Sequence, residues 1–163
     1  MILLLMGVTG SGKSTVGKML AARLGWVYLE ADDFHSKSNK AKMHRGEPLT
    51  EADRQPWLVA MHAELETQTT NGKNVVLACS ALRGEYRHIL TDGLEVTLVY
   101  LRGSKEQIAS RLAQRTNHFA GLPILDDQFA VLEEPSNALV FDIGKTPEKI
   151  VEEILQAIKR KAN

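Results

Sequence analysis

The stretch that decides the fold class is residues 7–14, Gly7-Val8-Thr9-Gly10-Ser11-Gly12-Lys13-Ser14. It matches the phosphate-loop pattern G-x-x-x-x-G-K-[S/T] in full, and it lies directly after an apolar run and directly before a helical pattern. In such a unit, backbone N–H groups and the positive end of the helix point at phosphate groups. We therefore expect nucleotide contacts from Gly7, Thr9, Gly10, Ser11, Gly12, Lys13, Ser14 and Thr15.

Two side chains of this loop have specific predicted roles. Lys13 is expected to reach the β- and γ-phosphates of ATP, which makes it a candidate catalytic residue. The Ser14 hydroxyl is the candidate ligand of Mg²⁺, which bridges the same phosphates and offsets negative charge during transfer. The sequence thus predicts ATP and Mg²⁺ as cofactors.

Length and composition indicate one compact domain, residues 1–163, with 44% hydrophobic content. The 20 basic and 20 acidic residues cancel, so the chain lacks the basic footprint of a nucleic-acid binder. No segment approaches the ~18 apolar residues of a membrane span, and we find no secretion signal. The single cysteine, Cys79, lies in an apolar run and fits a reducing compartment. We expect a cytoplasmic protein.

Apolar runs bounded by turn residues alternate with helical patterns, which predicts an α/β fold of three layers: a five-stranded parallel sheet flanked by helices. Two long polar stretches, residues 32–56 and 115–125, do not fit the alternation and are candidates for substrate contacts or a lid. The predicted strands are residues 2–6, 26–29, 74–80, 96–101 and 138–142. The predicted helices are residues 13–23, 51–69, 84–90, 105–113 and 147–159.

An acidic cluster follows the second predicted strand. Glu30, Asp32 and Asp33 would lie at the carboxyl edge of the sheet, beside the phosphate loop. A carboxylate activates an alcohol by accepting or orienting its proton, so we assign that catalytic role to Asp32. Glu30 and Asp33 are expected to contact substrate or Mg²⁺-bound water. The sequence leaves open which of the three acids is the base.

The loop alone does not define the reaction. A GTPase is disfavoured because the nearest stretch to a guanine-binding motif, Asn39-Lys40-Ala41-Lys42, lacks the aspartate. A motor or AAA-type ATPase would need a longer chain and an acidic pair after the strand that contains Cys79, where Ser80 follows instead. These exclusions favour a small kinase.

The segment of residues 32–58 resembles the gluconate kinases of bacteria and eukaryotes. It contains Asp32-Asp33-Phe34-His35, Gly46-Glu47-Pro48-Leu49 and Asp53-Arg54-Gln55-Pro56-Trp57-Leu58, and further matches follow at residues 79–83, 86–87, 118–119, 128–129 and 132–135. The resemblance implies an adenylate-kinase-like or shikimate-kinase-like fold with a short lid at about residues 115–125. It also implies transfer from ATP to the 6-hydroxyl of D-gluconate, which would feed the pentose phosphate pathway, and a homodimer.

Cations that could bind an anionic substrate complete the predicted site. Arginine is the natural partner of a carboxylate, and Arg54 lies at the start of a helix with Thr50 as its predicted N-cap. Arg83 and Arg87 are expected to join it, and His35 to hydrogen-bond a sugar hydroxyl. The predicted substrate-binding residues are Asp32, Asp33, His35, Arg54, Arg83 and Arg87.

Two further arginines lie four residues apart on one predicted helix face, next to the predicted lid. By resemblance to adenylate kinases, Arg111 would stack near adenine and Arg115 would reach the phosphates. Arg115 is therefore a third candidate catalytic residue, beside Lys13 and Asp32. Two alternatives stay open at this point: a shikimate or nucleoside monophosphate kinase, and a regulatory module that binds ATP without turnover.

Overall fold

The structure, a computed structural model, describes residues 1–116 and 122–163. These residues form one sheet of five parallel strands in the order β2-β3-β1-β4-β5. The strands are β1 Ile2–Met6, β2 Val27–Glu30, β3 Val75–Ala78, β4 Val96–Arg102 and β5 Leu139–Asp142. The helices are α1 Lys13–Leu24, α2 Lys37–His44, α3 Glu51–Thr70, α4 Gly84–Thr91, α5 Lys105–Thr116, α6 Leu122–Val131 and α7 Pro147–Ala162. A short 3₁₀ turn, Ala31–Phe34, follows β2.

Helices cover both faces of the sheet, which confirms the predicted three layers. Side chains alternate along the central strand β1, so Leu3 and Leu5 pack in one cluster with α1 and α7, while Leu4 packs in the other with α3. Every residue of β1 is buried. A central strand that is apolar throughout is typical of a parallel sheet buried on both sides.

Helix starts predicted from capping residues are confirmed. Thr50 accepts a hydrogen bond from the Asp53 backbone N–H, and the Asp53 carboxylate accepts one from the Thr50 N–H, which forms a capping box. Ser104 and Gln107 form the same reciprocal pair before α5. Thr146 caps α7. These signals are local, and the structure uses each of them as the sequence predicts.

Two helices lie in stretches that we expected to be irregular. The first, α2, has few apolar residues. Its N-cap is Ser36, whose hydroxyl accepts a hydrogen bond from the Asn39 backbone N–H. The second, α6, begins at Leu122, inside the predicted lid of residues 115–125. Arg115 belongs to the last turn of α5, which ends at Thr116, and residues 117–121 of the predicted lid lie outside the described residues. Among the described helices, none is both long and apolar enough to cross a bilayer.

Candidate active site

The site is a cavity of about 320 Å³ at the carboxyl ends of β1, β2 and β3. Loops that follow neighbouring parallel strands meet at this edge, which is where folds of this type bind ligands. The phosphate loop forms one side of the cavity, and the segment after β2 forms the other. The phosphate-loop side consists of Thr9, Gly10, Gly12, Lys13, Ser14 and Thr15.

The start of the phosphate loop has no room for a side chain. Gly7 has a φ of 155°, and a Cβ built there would lie 2.6 Å from the Ser11 hydroxyl and 2.9 Å from the Leu101 carbonyl oxygen. The Ser11 side chain is buried, and its hydroxyl has no hydrogen-bond partner among the described residues. Neither Gly7 nor Ser11 lines the cavity, so they support the conformation of the phosphate loop on the side that faces away from the cavity.

Lys13 projects from the loop into the cavity. Its ammonium donates a hydrogen bond to the Val8 carbonyl at 3.0 Å, so the side chain folds back over the loop. Desolvation lowers the pKa of Lys13, while the charges of Asp32 and Glu30 act in the opposite direction. A bound polyphosphate would add negative charge beside the ammonium and favour its protonated form.

Ser14 faces a carboxylate across the cavity edge. Its hydroxyl donates to Glu30 Oε2 at 2.7 Å, and the Tyr28 hydroxyl donates to the same oxygen at 2.5 Å. A Mg²⁺ ion that is held by nucleotide phosphates, one hydroxyl and water needs few protein ligands. The pairing of a loop hydroxyl with a carboxylate suited to metal-bound water fits this mode of binding.

The acidic residues after β2 separate in the structure. Glu30 and Asp32 line the cavity, whereas Asp33 does not. Asp32 lies in the 3₁₀ turn, close enough to Lys13 for its charge to act on the ammonium. The charge of Asp32 also acts on His35, so Asp32 is the acid that lies near both the phosphate loop and the segment of residues 32–58.

A histidine and a tryptophan form the wall opposite the phosphate loop. The rings of His35 and Trp57 stack with centroids 4.3 Å apart and an interplanar angle of 10°. The Trp57 indole N–H donates to the Ala31 carbonyl at 2.7 Å, and buried Asn39 places its amide 3.3 Å from His35 Nδ1. Burial lowers the pKa of His35, whereas the charge of Asp32 acts in the opposite direction. This wall therefore places an imidazole close to Asp32.

Two predicted substrate arginines meet in a cluster next to this wall. Arg54 and Arg83 each place a guanidinium nitrogen 3.4 Å from Glu51 Oε1, and the Tyr86 hydroxyl donates to the same oxygen at 2.7 Å. Both guanidinium groups lie about 6 Å from the centre of the Tyr86 ring. Neither arginine lines the cavity itself. The Glu51 carboxylate therefore holds the guanidinium groups of Arg54 and Arg83 together.

The structure does not bring Arg87 to this cavity. Its guanidinium donates to the carbonyl oxygens of Ala81 and Leu82, and it borders a second cavity of about 410 Å³ that Glu133 also lines. Burial lowers the pKa of Arg87. Arg87 fixes the loop after β3, because it binds two successive carbonyl groups of that loop.

The two arginines of α5 have different positions. Arg115 lines the cavity from the last turn of the helix. Arg111 donates to the Ile143 carbonyl instead, and one of its guanidinium nitrogens lies 3.9 Å from a Cβ built at Gly12. Arg111 therefore lies behind the phosphate loop, on the side of β5.

Comparisons with known proteins identify the family. A family model described as an AAA domain matches residues 2–135. The chain is 41% identical to a probable gluconokinase of Mus musculus, over 97% of both chains, and 40% identical to the thermoresistant gluconokinase of Escherichia coli, over 98% of this chain and 94% of that one. The chain belongs to the gluconokinase family.

The family description names a P-loop domain, and the kinase names of the relatives agree with the small kinase that the sequence favours. The family model covers the P-loop core from β1 through the end of α6. A crystal structure of a gluconokinase from Sinorhizobium meliloti 1021 is 36% identical, with a TM-score of 0.88 over 98% of this chain and 92% of that chain. A shikimate kinase from Aquifex aeolicus, 19% identical with a TM-score of 0.62, shares the fold. These matches confirm the predicted fold class and the resemblance to gluconate kinases.

Sequence reasoning missed three residues of this gluconokinase-family site. Gln128 lines the cavity from α6, and its side-chain oxygen accepts a hydrogen bond from the Thr9 backbone N–H at 2.6 Å. Tyr28 holds Glu30, and Glu51 holds the arginine pair. Gln128 lies in one of the stretches that resemble the gluconate kinases, but the sequence does not indicate its contact with Thr9, since 119 residues separate the two. Tyr28 could have been found from its position two residues before Glu30, on the same side of an extended strand.

Proposed function

We propose that this chain transfers the γ-phosphoryl group of ATP to the 6-hydroxyl of D-gluconate, giving 6-phospho-D-gluconate and ADP and feeding gluconate into the pentose phosphate pathway. The observation that carries the proposal is a single cavity in which Asp32 lies near both the phosphate loop and the wall formed by His35 and Trp57. Relatives named gluconokinase match nearly the whole length of the chain.

The reaction needs a positioned alcohol and stabilised phosphate charge. Asp32 accepts the proton of the 6-hydroxyl as its oxygen forms a bond to the γ-phosphorus, and the bond from phosphorus to the bridging oxygen of ADP breaks. Lys13 and the loop N–H groups hold the phosphates in line. Arg115 adds a cation on the opposite side and helps to exclude water. Ser14 would hold Mg²⁺, which would compensate part of the negative charge of the phosphates.

Gluconate differs from a neutral sugar by its carboxylate, which would bind the Arg54 and Arg83 pair. The pair is already ordered around Glu51, so a substrate carboxylate could replace Glu51 or share the guanidinium groups with it. His35 would donate through Nε2 to a sugar hydroxyl, because its Nδ1 faces the Asn39 amide donor. Asp33 lies next in the chain to the base and would contact a hydroxyl at the cavity edge.

An enzyme-coupled assay tests the proposal. Purified protein is incubated with Mg-ATP and D-gluconate, and 6-phosphogluconate is followed through its dehydrogenase, with shikimate, AMP and no acceptor run in parallel. We expect product only with gluconate. Turnover with a different acceptor would retain the kinase and reject the substrate, and ATP binding without any turnover would support the regulatory alternative.

Three further proposals concern the metal ion, the cellular compartment and the oligomeric state. We propose a Mg²⁺-dependent enzyme of the cytoplasm, supported by the Ser14 and Glu30 pairing and by the free, buried Cys79. Burial raises the pKa of the Cys79 thiol to about 12, which makes it a poor nucleophile although it lines the cavity. The homodimer rests on family resemblance, and sedimentation of the purified protein tests it.

A further inference from the structure

Two hydroxyl groups converge on one carboxylate oxygen at the metal side of the cavity. Glu30 Oε2 accepts the Ser14 hydroxyl at 2.7 Å and the Tyr28 hydroxyl at 2.5 Å. Ser14 and Glu30 line the cavity, whereas Tyr28 does not. Tyr28 therefore does not reach the cavity itself, and it meets the residues that line the cavity through Glu30 and Ser14.

The Tyr28 ring is fixed by the same helix that carries Ser14. A Cβ built at Gly17 would lie 2.8 Å from a ring carbon of Tyr28, so the ring rests directly on the backbone of α1. The Lys18 ammonium lies 5.9 Å from the ring centre. Because Ser14 and Gly17 are three residues apart, they lie on the same face of α1. The Tyr28 side chain therefore contacts the α1 backbone with its ring and the Glu30 carboxylate with its hydroxyl, which sets the separation between the two.

Glu30 needs such a contact, because a glutamate side chain has three rotatable bonds and its own position is weakly defined. When Ser14 turns its hydroxyl towards a metal ion, Glu30 loses one of the two donors on Oε2. The Tyr28 hydroxyl then remains as a hydrogen-bond donor to Glu30 Oε2. Groups that orient the ligands of a metal contribute strongly to metal affinity without touching the metal.

We propose that Tyr28 is a positioning residue that holds Glu30 in place for the metal side of the nucleotide site. The inference rests on the proposed use of Mg-ATP, and it concerns nucleotide binding rather than the choice of acceptor. It assigns to Gly17 a matching role, which is to leave space for the Tyr28 ring.

The test compares ATP binding with and without the metal. The Kd of ATP is measured by calorimetry for the wild-type protein and for Tyr28→Phe, once with Mg²⁺ and once with EDTA. We expect Tyr28→Phe to weaken Mg-ATP binding about tenfold, as for other groups that orient metal ligands, and to leave metal-free ATP binding unchanged. Equal losses with and without Mg²⁺, or no loss at all, would overturn the proposal.

A matched control is available in the same chain. The Tyr100 hydroxyl donates to Glu134 Oε1 at 3.0 Å, away from the cavity, so Tyr100→Phe removes a tyrosine-to-glutamate hydrogen bond of the same type. We expect the Kd of Mg-ATP to be that of the wild type in this variant. A loss equal to that of Tyr28→Phe would mean that general packing, and not the metal side, causes the effect.

Two further variants separate positioning from folding. In a Glu30→Ala background, Tyr28→Phe should cause no additional loss of Mg-ATP binding, whereas an additive loss would show that Tyr28 acts independently of Glu30. Gly17→Ala should reproduce the Mg²⁺-selective loss even though alanine favours the helix, and unchanged binding would contradict the role of the ring position. If gluconate turnover fails in the wild type, the acceptor assignment fails, while these binding measurements still test Tyr28.

Discussion

The phosphate loop, residues 7–14, and the substrate segment, residues 31–58, border the same cavity but are built differently. The loop is shaped by backbone geometry within eight residues, as the φ of 155° at Gly7 illustrates. The substrate segment is shaped by side chains that meet across long separations: Trp57 donates to Ala31, and Asn39 donates to the Asp53 carbonyl. A nucleotide site can therefore be recognised from a short motif, whereas a substrate site depends on how several elements pack.

Substitutions in the phosphate loop should weaken ATP binding and leave the wall formed by His35 and Trp57 intact. Substitutions in that wall should weaken gluconate binding and leave ATP binding unchanged. Asp32 lies where the two regions meet, and its loss should affect the chemical step rather than either binding event.

The largest expected effect is at this meeting point. Asp32→Asn keeps the shape of the side chain but removes the base, so kcat should fall by about 10²- to 10⁴-fold, the usual contribution of a general base. The Kd of ATP should stay close to that of the wild type. Stopped-flow or steady-state kinetics with gluconate, together with calorimetry, measure both. Full activity would transfer the role to Asp33 or Glu30.

The next effect is in the loop. Gly7→Ala places a side chain at a φ of 155°, a backbone conformation that residues with a Cβ rarely adopt and that costs about 1–3 kcal/mol, and its Cβ would collide with the Leu101 carbonyl and the Ser11 hydroxyl. We expect ATP binding to weaken by at least about tenfold, since 1.4 kcal/mol is tenfold in affinity. Gly93→Ala is the control, because it also introduces a Cβ at a positive φ, 67°, but in open space away from the site. An undisturbed Kd for ATP in Gly7→Ala would refute the packing argument.

A smaller effect is expected in the wall. Trp57→Phe preserves an aromatic ring for His35 but loses the hydrogen bond to the Ala31 carbonyl, a contribution of about 1 kcal/mol. The KM for gluconate should rise about fivefold, while the Kd of ATP stays constant. Trp26→Phe, in the core cluster on the other side of the sheet, is the matched control. A change in ATP affinity instead would show that the two regions are not separable.

The smallest expected effect is a pH dependence within the substrate segment. The hydrogen bond from Lys42, supported by the Thr50 backbone, lowers the pKa of Asp53 from 3.8 to about 2. Because the folded state binds this proton more weakly than the unfolded state, the contribution to stability is present above pH 3.8 and is lost as the pH falls towards 2.

Thermal unfolding midpoints between pH 5 and pH 2 measure this contribution. Asp53→Asn should flatten the acid loss of stability, and Asp92→Asn, at the exposed end of α4, controls for the removal of a carboxylate. Identical acid slopes for the wild type and Asp53→Asn would contradict the pairing with Lys42.

Much of the fold could be predicted because its signals are local. The strands appear as short apolar runs, and the starts of α3, α5 and α7 appear as capping residues. The helix α2 was missed because its helical pattern has hardly any apolar positions, so its stability comes from contacts such as Lys42 with Asp53. The helix α6 was missed because its first residues lie inside the stretch of residues 115–125 that was expected to form a lid.

The candidate site could be predicted only as a set of residue types. Asp32, Lys13 and Arg115 were proposed from the sequence, and the structure places all three at one cavity. Arg87 shows the limit of such reasoning, since a basic residue next to a predicted site bonds to backbone carbonyls instead. Which arginine faces a substrate depends on helix rotation, and no short motif encodes that rotation.

The sequence by itself determined the phosphate loop, the order of the five strands, five of the seven described helices and the family, because each rests on neighbouring residues or on residue identity. Only the tertiary structure decided that the Gln128 side chain accepts a hydrogen bond from Thr9 and that Tyr28 and Ser14 both donate to Glu30. It also decided that Glu51 pairs with both Arg54 and Arg83. The physical reason is distance: backbone conformation is set within a few residues, whereas a hydrogen bond between residues far apart in the chain exists only after the sheet has brought their elements together.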